Sequence, residues 1–89
     1  MIERQIEIVN RLGLHARAAA KLVHLTSRFD SQVWLAMNGE EVDAKSILGI
    51  LLLAAAQGSS VLIKCDGKDE EAAIAAISKL FADRFDEES

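Results

Sequence analysis

The chain is organised around the segment Gly13-Leu14-His15-Ala16-Arg17, where a strand pattern gives way to a helix pattern. Before this segment, isoleucine recurs at positions 2, 6 and 8 with glutamate between, an alternation typical of a half-buried strand. After it, one face of a helical period carries small or apolar side chains, namely Ala19, Leu22, Val23 and Thr26. The pattern therefore predicts that His15 lies where a helix begins.

A histidine at the start of a helix lies beside an anion-binding site. The first amides of a helix have no internal acceptor, and together with the helix dipole they attract negative charge. The positive end of the dipole also disfavours an imidazolium, which leaves the ring of His15 as a neutral nucleophile. Arg17 adds a guanidinium that can hold phosphate oxygens with paired hydrogen bonds. The segment suits a phosphoryl carrier, although a lone histidine at such a place is more often a simple cap residue.

Two segments of the chain resemble signatures of one protein family. Residues 13–17 resemble the active-site signature of HPr, the histidine phosphocarrier of the bacterial phosphoenolpyruvate-dependent phosphotransferase system. A second segment resembles the regulatory serine motif of the same family, Lys45-Ser46-Ile47-Leu48-Gly49. The resemblance extends from about Ile2 to Phe85 without an obvious insertion. Two separate motifs at the right separation make it specific.

The resemblance implies a role for the residues in these motifs. His15 would accept a phosphoryl group on Nδ1 from the phosphohistidine of enzyme I and pass it to an enzyme IIA domain. Arg17 would stabilise the group during transfer. Ser46 would be modified by an ATP-dependent HPr kinase/phosphorylase. Such a protein is a relay intermediate and not an enzyme with its own substrate, and it requires no cofactor and no metal ion.

The sequence predicts the element order β-α-β-β-α-β-α. Strands are expected at about residues 2–9, 31–37, 40–43 and 59–65, with Asn38-Gly39 as a hairpin turn. Helices are expected at about 16–28, from Ser46 to Gln57-Gly58, and from about Asp69 onward. The pattern indicates an α+β domain with its helices on one face of a four-stranded sheet. The resemblance further implies that the strands are antiparallel and form an open-faced β-sandwich.

The composition indicates one cytoplasmic domain. A chain of 89 residues, 51% of them hydrophobic, can bury a single core, and only the tail at 86–89 is expected to fray. Cys65 is expected to pack in a strand and fits a reducing compartment. The N-terminus does not resemble a signal peptide, and the longest apolar run is too short to cross a bilayer. Two histidines and one cysteine lack the spacing of a zinc site. We expect a monomer.

The charge pattern predicts a protein partner. The net charge of −4 argues against nucleic-acid binding, yet the residues from Arg11 to Arg28 include basic side chains and no acidic one. Four residues of the first predicted helix share a face, namely Arg17, Lys21, His24 and Arg28. The second helix is apolar around most of its circumference, so some of its side chains should be exposed beside His15. The predicted docking residues are Leu14, Lys21, His24, Arg28, Ile47, Leu48 and Leu51.

Two residues depart from the family pattern, and three alternative interpretations remain open. Ala18 stands where most members have a proline that presets the first helical turn, and Ala20 replaces a common hydroxyl residue.

One alternative is a nitrogen-type paralogue of HPr in a regulatory relay, favoured by the acidic end at 85–88. Another is a regulatory module that binds a partner without carrying phosphate. The third is a small ligand-binding domain with this element order by chance, which leaves both motifs unexplained.

Overall fold

The computed structural model describes residues 1–87, which form a four-stranded sheet covered on one face by helices. The strands are β1 (Ile2–Glu7), β2 (Gln32–Met37), β3 (Glu40–Asp43) and β4 (Ser60–Asp66). The helices are α1 (Ala16–Thr26), α2 (Ile47–Leu52) and α3 (Glu70–Ala82), followed by a 3₁₀ turn at Arg84–Asp86. The predicted α+β architecture and the predicted element order are confirmed.

All strand pairs are antiparallel, in the spatial order β1-β4-β2-β3. Alternate residues of each strand point to the helices, and those of β4 are fully buried there, as Val61, Ile63 and Cys65 show. Cys65 is therefore a packed core residue, as predicted, and burial raises the pKa of its thiol. The opposite face of the sheet carries half-buried or exposed side chains such as Trp34 and Lys64.

Helices α1 and α3 each bury one face against this sheet, and the buried face of α1 is largely the predicted one. In α1 the buried side chains are Ala18, Ala19, Leu22 and Thr26, while Val23 is only half-buried. In α3 they are Ala73, Ile74, Ile77 and Phe81. The longest of these helices spans 13 residues, and none within residues 1–87 is long and apolar enough to cross a membrane.

The second helix is shorter than the sequence predicts. It ends at Leu52 instead of continuing to Gln57-Gly58. The chain leaves the helix because Leu53 and Ala55 turn into the core and Ala54 adopts a left-handed conformation with φ of 51°. The helical pattern of residues 53–56 is thus overridden by tertiary packing.

Residues 86–87, the described part of the expected frayed tail, lie against the domain. Three consecutive residues, Arg84 to Asp86, have positive φ values and turn the chain back over the domain. Phe85 is fully buried, with its ring centroid 4.8 Å from that of Phe81. Glu87 reaches Asn10 and His15. The last two residues of the expected tail, 88–89, lie outside the described residues.

Asp69 links the start of α3 to the connection between α1 and β2. Its carboxylate does not cap its own helix but accepts hydrogen bonds from the amides of Asp30 and Ser31, both at 2.9 Å, and from the Ser31 hydroxyl. The Ser31 hydroxyl and the Asp30 amide lower the pKa of Asp69 below its ordinary value.

We expect Asp69→Asn to destabilise the fold at neutral pH, because an amide is a weaker acceptor for these donors. A carboxyl with a lowered pKa in the folded state stabilises the fold above its unfolded pKa and loses that effect as the pH falls. The difference between variant and parent in urea denaturation should therefore shrink as the pH falls towards and below 4. Glu71→Gln, in the same helical turn but exposed, is the control. An equal, pH-independent effect of both substitutions would contradict this assignment.

Candidate functional site

His15 occupies the N-cap of α1, as predicted. Its backbone is extended, with φ of −77° and ψ of 178°, and the first helical hydrogen bond joins the Ala19 amide to the His15 carbonyl at 2.8 Å. The amides of residues 16–18 precede this bond and so have no acceptor within the helix. The His15 side chain makes no capping bond to them. These amides are therefore available to an anion bound beside the ring.

The loop that carries His15 is fixed by backbone contacts. Gly13 has φ of 64°, and a Cβ at this position would come within 2.5 Å of the Ala55 carbonyl oxygen. That oxygen accepts a hydrogen bond from the Leu14 amide at 2.9 Å. Only glycine permits both the left-handed conformation and this close approach. Packing against the segment after α2 thus explains why the motif has glycine at position 13.

Leu14 corrects one prediction for the docking surface. Its side chain was expected to be exposed beside His15, but it is 4% exposed and belongs to the hydrophobic core. It is buried because the Leu14–Ala55 hydrogen bond draws this part of the loop inward. Leu14 therefore fixes the loop beneath His15 and does not present a contact surface.

A carboxylate from the other end of the chain contacts the His15 ring. Nε2 of His15 pairs with Oε2 of Glu87, and Oε1 of Glu87 accepts a hydrogen bond from Asn10 Nδ2 at 3.2 Å. Burial tends to raise the pKa of Glu87, but the hydrogen bonds from His15 and Asn10 and the nearby charge of Lys21 outweigh it, so the pKa lies below its ordinary value. Glu87 was missed because it is 72 positions from His15 and no local pattern predicts their contact.

The basic residues of α1 line one open cavity. Its volume is about 490 Å³, and its walls include the predicted stripe of Arg17, Lys21, His24 and Arg28 over an apolar floor that contains Leu25 and Leu80. Arg17, His24 and Arg28 are exposed. Lys21 is half-buried, because its Nζ donates to the Phe85 carbonyl at 2.6 Å. The stripe therefore forms a mainly basic face, which Asp86 also lines. Lys21 in addition holds the C-terminal segment through the Phe85 carbonyl.

The second helix exposes an apolar patch, which we define as Ile47, Leu48 and Leu52. Their side chains are 43%, 67% and 66% exposed. Ile47 and Leu48 are predicted docking residues, whereas Leu52 was not among them and the predicted Leu51 is half-buried. Leu12, in the His15 loop, is also exposed. Exposed apolar side chains clustered in a small domain are typical of a binding surface.

Ser46 is the N-cap of α2, as the sequence predicts. Its Oγ accepts a hydrogen bond from the Gly49 amide at 3.1 Å, and the residue is half-buried. The preceding Lys45 extends away to donate to the Phe29 carbonyl at 2.7 Å. Ser46 therefore stands directly beside the exposed Ile47 and Leu48.

Proteins of one known family resemble this chain over almost its whole length. Residues 2–83 match the family model for the PTS HPr component phosphorylation site. The phosphocarrier protein HPr of Cupriavidus necator is 52% identical over 87 residues, which cover 98% of each chain. The phosphocarrier protein NPr of Shewanella violacea is 42% identical, over 99% of this chain and 97% of that protein.

The fold also matches solved structures of the same family. The crystal structure of HPr-C-His from Thermoanaerobacter tengcongensis superposes with a TM-score of 0.97 at 46% identity, with both chains covered completely. An HPr dimer from the same organism matches with a TM-score of 0.79, over 98% of this chain and 100% of that one. The chain is thus a phosphocarrier protein of the phosphotransferase-system type and not a catalytic enzyme. In particular, it belongs to the HPr family.

The different burial of two leucines generates a test. Leu14→Ala should lower the free energy of unfolding by about 2–5 kcal/mol, since it creates a cavity in the core. Leu48→Ala removes an exposed side chain and should change it by less than about 0.5 kcal/mol. Denaturant titration of both variants measures the difference. Equal losses of stability would show that the two side chains are not buried differently.

Proposed function

We propose that His15 accepts a phosphoryl group from phosphorylated enzyme I and passes it to an enzyme IIA domain. The observation that carries this proposal is the location of the His15 ring, 23% exposed at the N-cap of α1 and beside three amides without helical acceptors. In the transfer, a bond forms between Nδ1 of His15 and phosphorus while the bond between phosphorus and the donor nitrogen of enzyme I breaks. Donation to enzyme IIA reverses these roles with a new acceptor.

The groups around His15 suit a carrier that must also release its cargo. The amides of residues 16–18 and the Arg17 guanidinium can bind the oxygens of the transferred group. A helix dipole alone stabilises such a charge by only about 0.3–1 kcal/mol at an exposed site. The phosphohistidine is therefore stabilised enough to form and not so much that it cannot react further.

Docking would use both the basic face of α1 and the apolar patch of α2. The exposed cations Arg17, His24 and Arg28 would meet an acidic partner surface, which favours fast and selective encounter. Ile47 and Leu48 would supply apolar contacts, with Leu51 beneath them. Lys21 would contribute charge while remaining bound to the Phe85 carbonyl. Leu14 would act only by holding the loop.

Ser46 would be a regulatory phosphorylation site for an HPr kinase/phosphorylase. A phosphate at the N-cap of α2 adds roughly 1.5–2 negative charges in a place that tolerates anions. The same charge would lie beside Ile47 and Leu48, where it disfavours apolar docking. The modification would weaken the interaction with enzyme I and leave the domain folded.

A second function is a relay of the nitrogen type, ending in regulation instead of sugar uptake. The chain is also 42% identical to the NPr protein of Shewanella violacea, so this relay is kept as the alternative. Transfer from the phosphorylated protein to purified sugar-type and nitrogen-type enzyme IIA domains separates the two functions. In either relay we propose a cytoplasmic monomer of one domain, and size-exclusion chromatography with light scattering would detect a dimer like the one described for Thermoanaerobacter tengcongensis HPr.

Mass spectrometry tests the carrier function directly. Incubation with phosphoenolpyruvate and cognate enzyme I should add one acid-labile phosphoryl group to the parent protein and none to His15→Ala. His24→Ala is the matched control, since His15 and His24 are the two histidines of the chain, and it should still be modified. Labelling of the parent that survives His15→Ala would contradict the assignment. An unlabelled parent with an active cognate enzyme I would exclude the carrier function.

Ser46→Asp tests the regulatory role. It should lower the rate of phosphorylation by enzyme I at least about tenfold, while thermal unfolding changes little because an aspartate can also cap α2. Ser60→Asp adds the same charge at an exposed position on β4 and should keep the parent rate. A parent-like rate for Ser46→Asp would rule out this mechanism of regulation.

A further inference from the structure

The hydrogen bond between Glu87 and His15 fixes which group is the donor. An ionised carboxylate has only acceptors, so Nε2 of His15 must carry the proton that lies between the two groups. In a neutral ring the lone pair then lies on Nδ1. Nδ1 does not accept a capping hydrogen bond from α1. The nitrogen opposite the carboxylate is therefore the one free to act as a nucleophile.

Glu87 is held in place by one anchor on its own side chain and two on Phe85, two residues before it. The side chain of Asn10, itself fully buried, donates to Oε1 of Glu87 and also to the Gly13 carbonyl at 2.8 Å. Phe85 is buried in the core next to Phe81. Lys21 Nζ donates to the Phe85 carbonyl. These contacts keep the Glu87 side chain only 11% exposed, against the His15 ring.

We infer that Glu87 is a positioning residue for phosphoryl transfer, which orients the His15 ring through Nε2 and compensates the positive charge that develops on it. The inference rests on the proposed carrier function and adds to it a residue outside both sequence motifs. When the bond between Nδ1 and phosphorus forms, the proton stays on Nε2 and the ring becomes cationic. The carboxylate of Glu87 then lies against that charge without itself gaining or losing a proton.

This role differs from that of a side chain that only blocks access to His15. A carboxylate that only blocked the site would slow phosphorylation, and its removal would speed transfer. A carboxylate that stabilises the cationic ring should do the opposite. The sign of the effect therefore separates the two roles, and a Gln side chain of nearly the same shape separates charge from packing.

The first experiment follows the His15 ring without any partner. In ¹⁵N-labelled parent protein at neutral pH, the ring should show a protonated Nε2 and an unprotonated Nδ1, with a hydrogen-bonded Nε2 resonance. Glu87→Gln should move that resonance, and Glu87→Ala should move it further. Asp86→Asn removes one negative charge from the neighbouring exposed residue and should leave it in place. Identical His15 resonances in the parent and both Glu87 variants would overturn the inference.

The second experiment measures phosphorylation rates with enzyme I. Loss of a charge-assisted hydrogen bond predicts a decrease of about tenfold or more for Glu87→Gln and Glu87→Ala. Glu71→Gln, at an exposed position of α3 away from the basic face, should keep the parent rate of transfer. Unchanged or faster transfer in both Glu87 variants, with the parent labelled normally, would overturn the positioning role alone. A parent that is never labelled would instead refute the proposed function, while the ring resonances would still report the contact.

Discussion

The structure depends on one close backbone approach, between Gly13 and the segment that follows α2. The Leu14 amide donates to the Ala55 carbonyl across this contact, and no residue with a Cβ could stand at position 13 without displacing that carbonyl. The contact joins the loop before α1 to the loop after α2, and the two helices also pack together. The His15 site and the apolar patch are thus parts of one rigid arrangement, although their residues are more than 30 positions apart.

Local patterns predicted most of the fold because they record local physics. Alternation in β4, the three-to-four-residue spacing in α1 and α3, and the capping serine each follow from contacts within one element. The antiparallel pairing came only from the family resemblance, and the spatial order of the strands was not predicted. The predictions of a longer α2 and of an exposed Leu14 were both wrong for the same reason. Both features are set by the close approach of Gly13 to Ala55, which no local pattern encodes.

The C-terminal segment shows the same limit more strongly. Its acidic and charged residues predict a frayed end, and three non-glycine residues with positive φ are unfavourable by themselves. Burial of Phe85, the Lys21 hydrogen bond and the Glu87 contacts offset that cost. Because Phe85 is fixed in the core, the Glu87 side chain has a fixed position against His15. The contact thus joins two residues that are far apart in the chain.

The charges around His15 also give a physical meaning to Ala18, one of the departures from the family pattern. Ala18 is fully buried at the third position of α1, and it carries an amide that a proline would lack. In the proposed transfer, this amide would be an additional donor to the phosphoryl group and would strengthen the attraction of the helix end for it. Glu87 acts from the opposite side, on Nε2, where a carboxylate favours the cationic ring but repels a nearby anion. A carrier must bind and release the same group. Opposing contributions of this kind would set its affinity for the phosphoryl group between that of the donor and that of the acceptor.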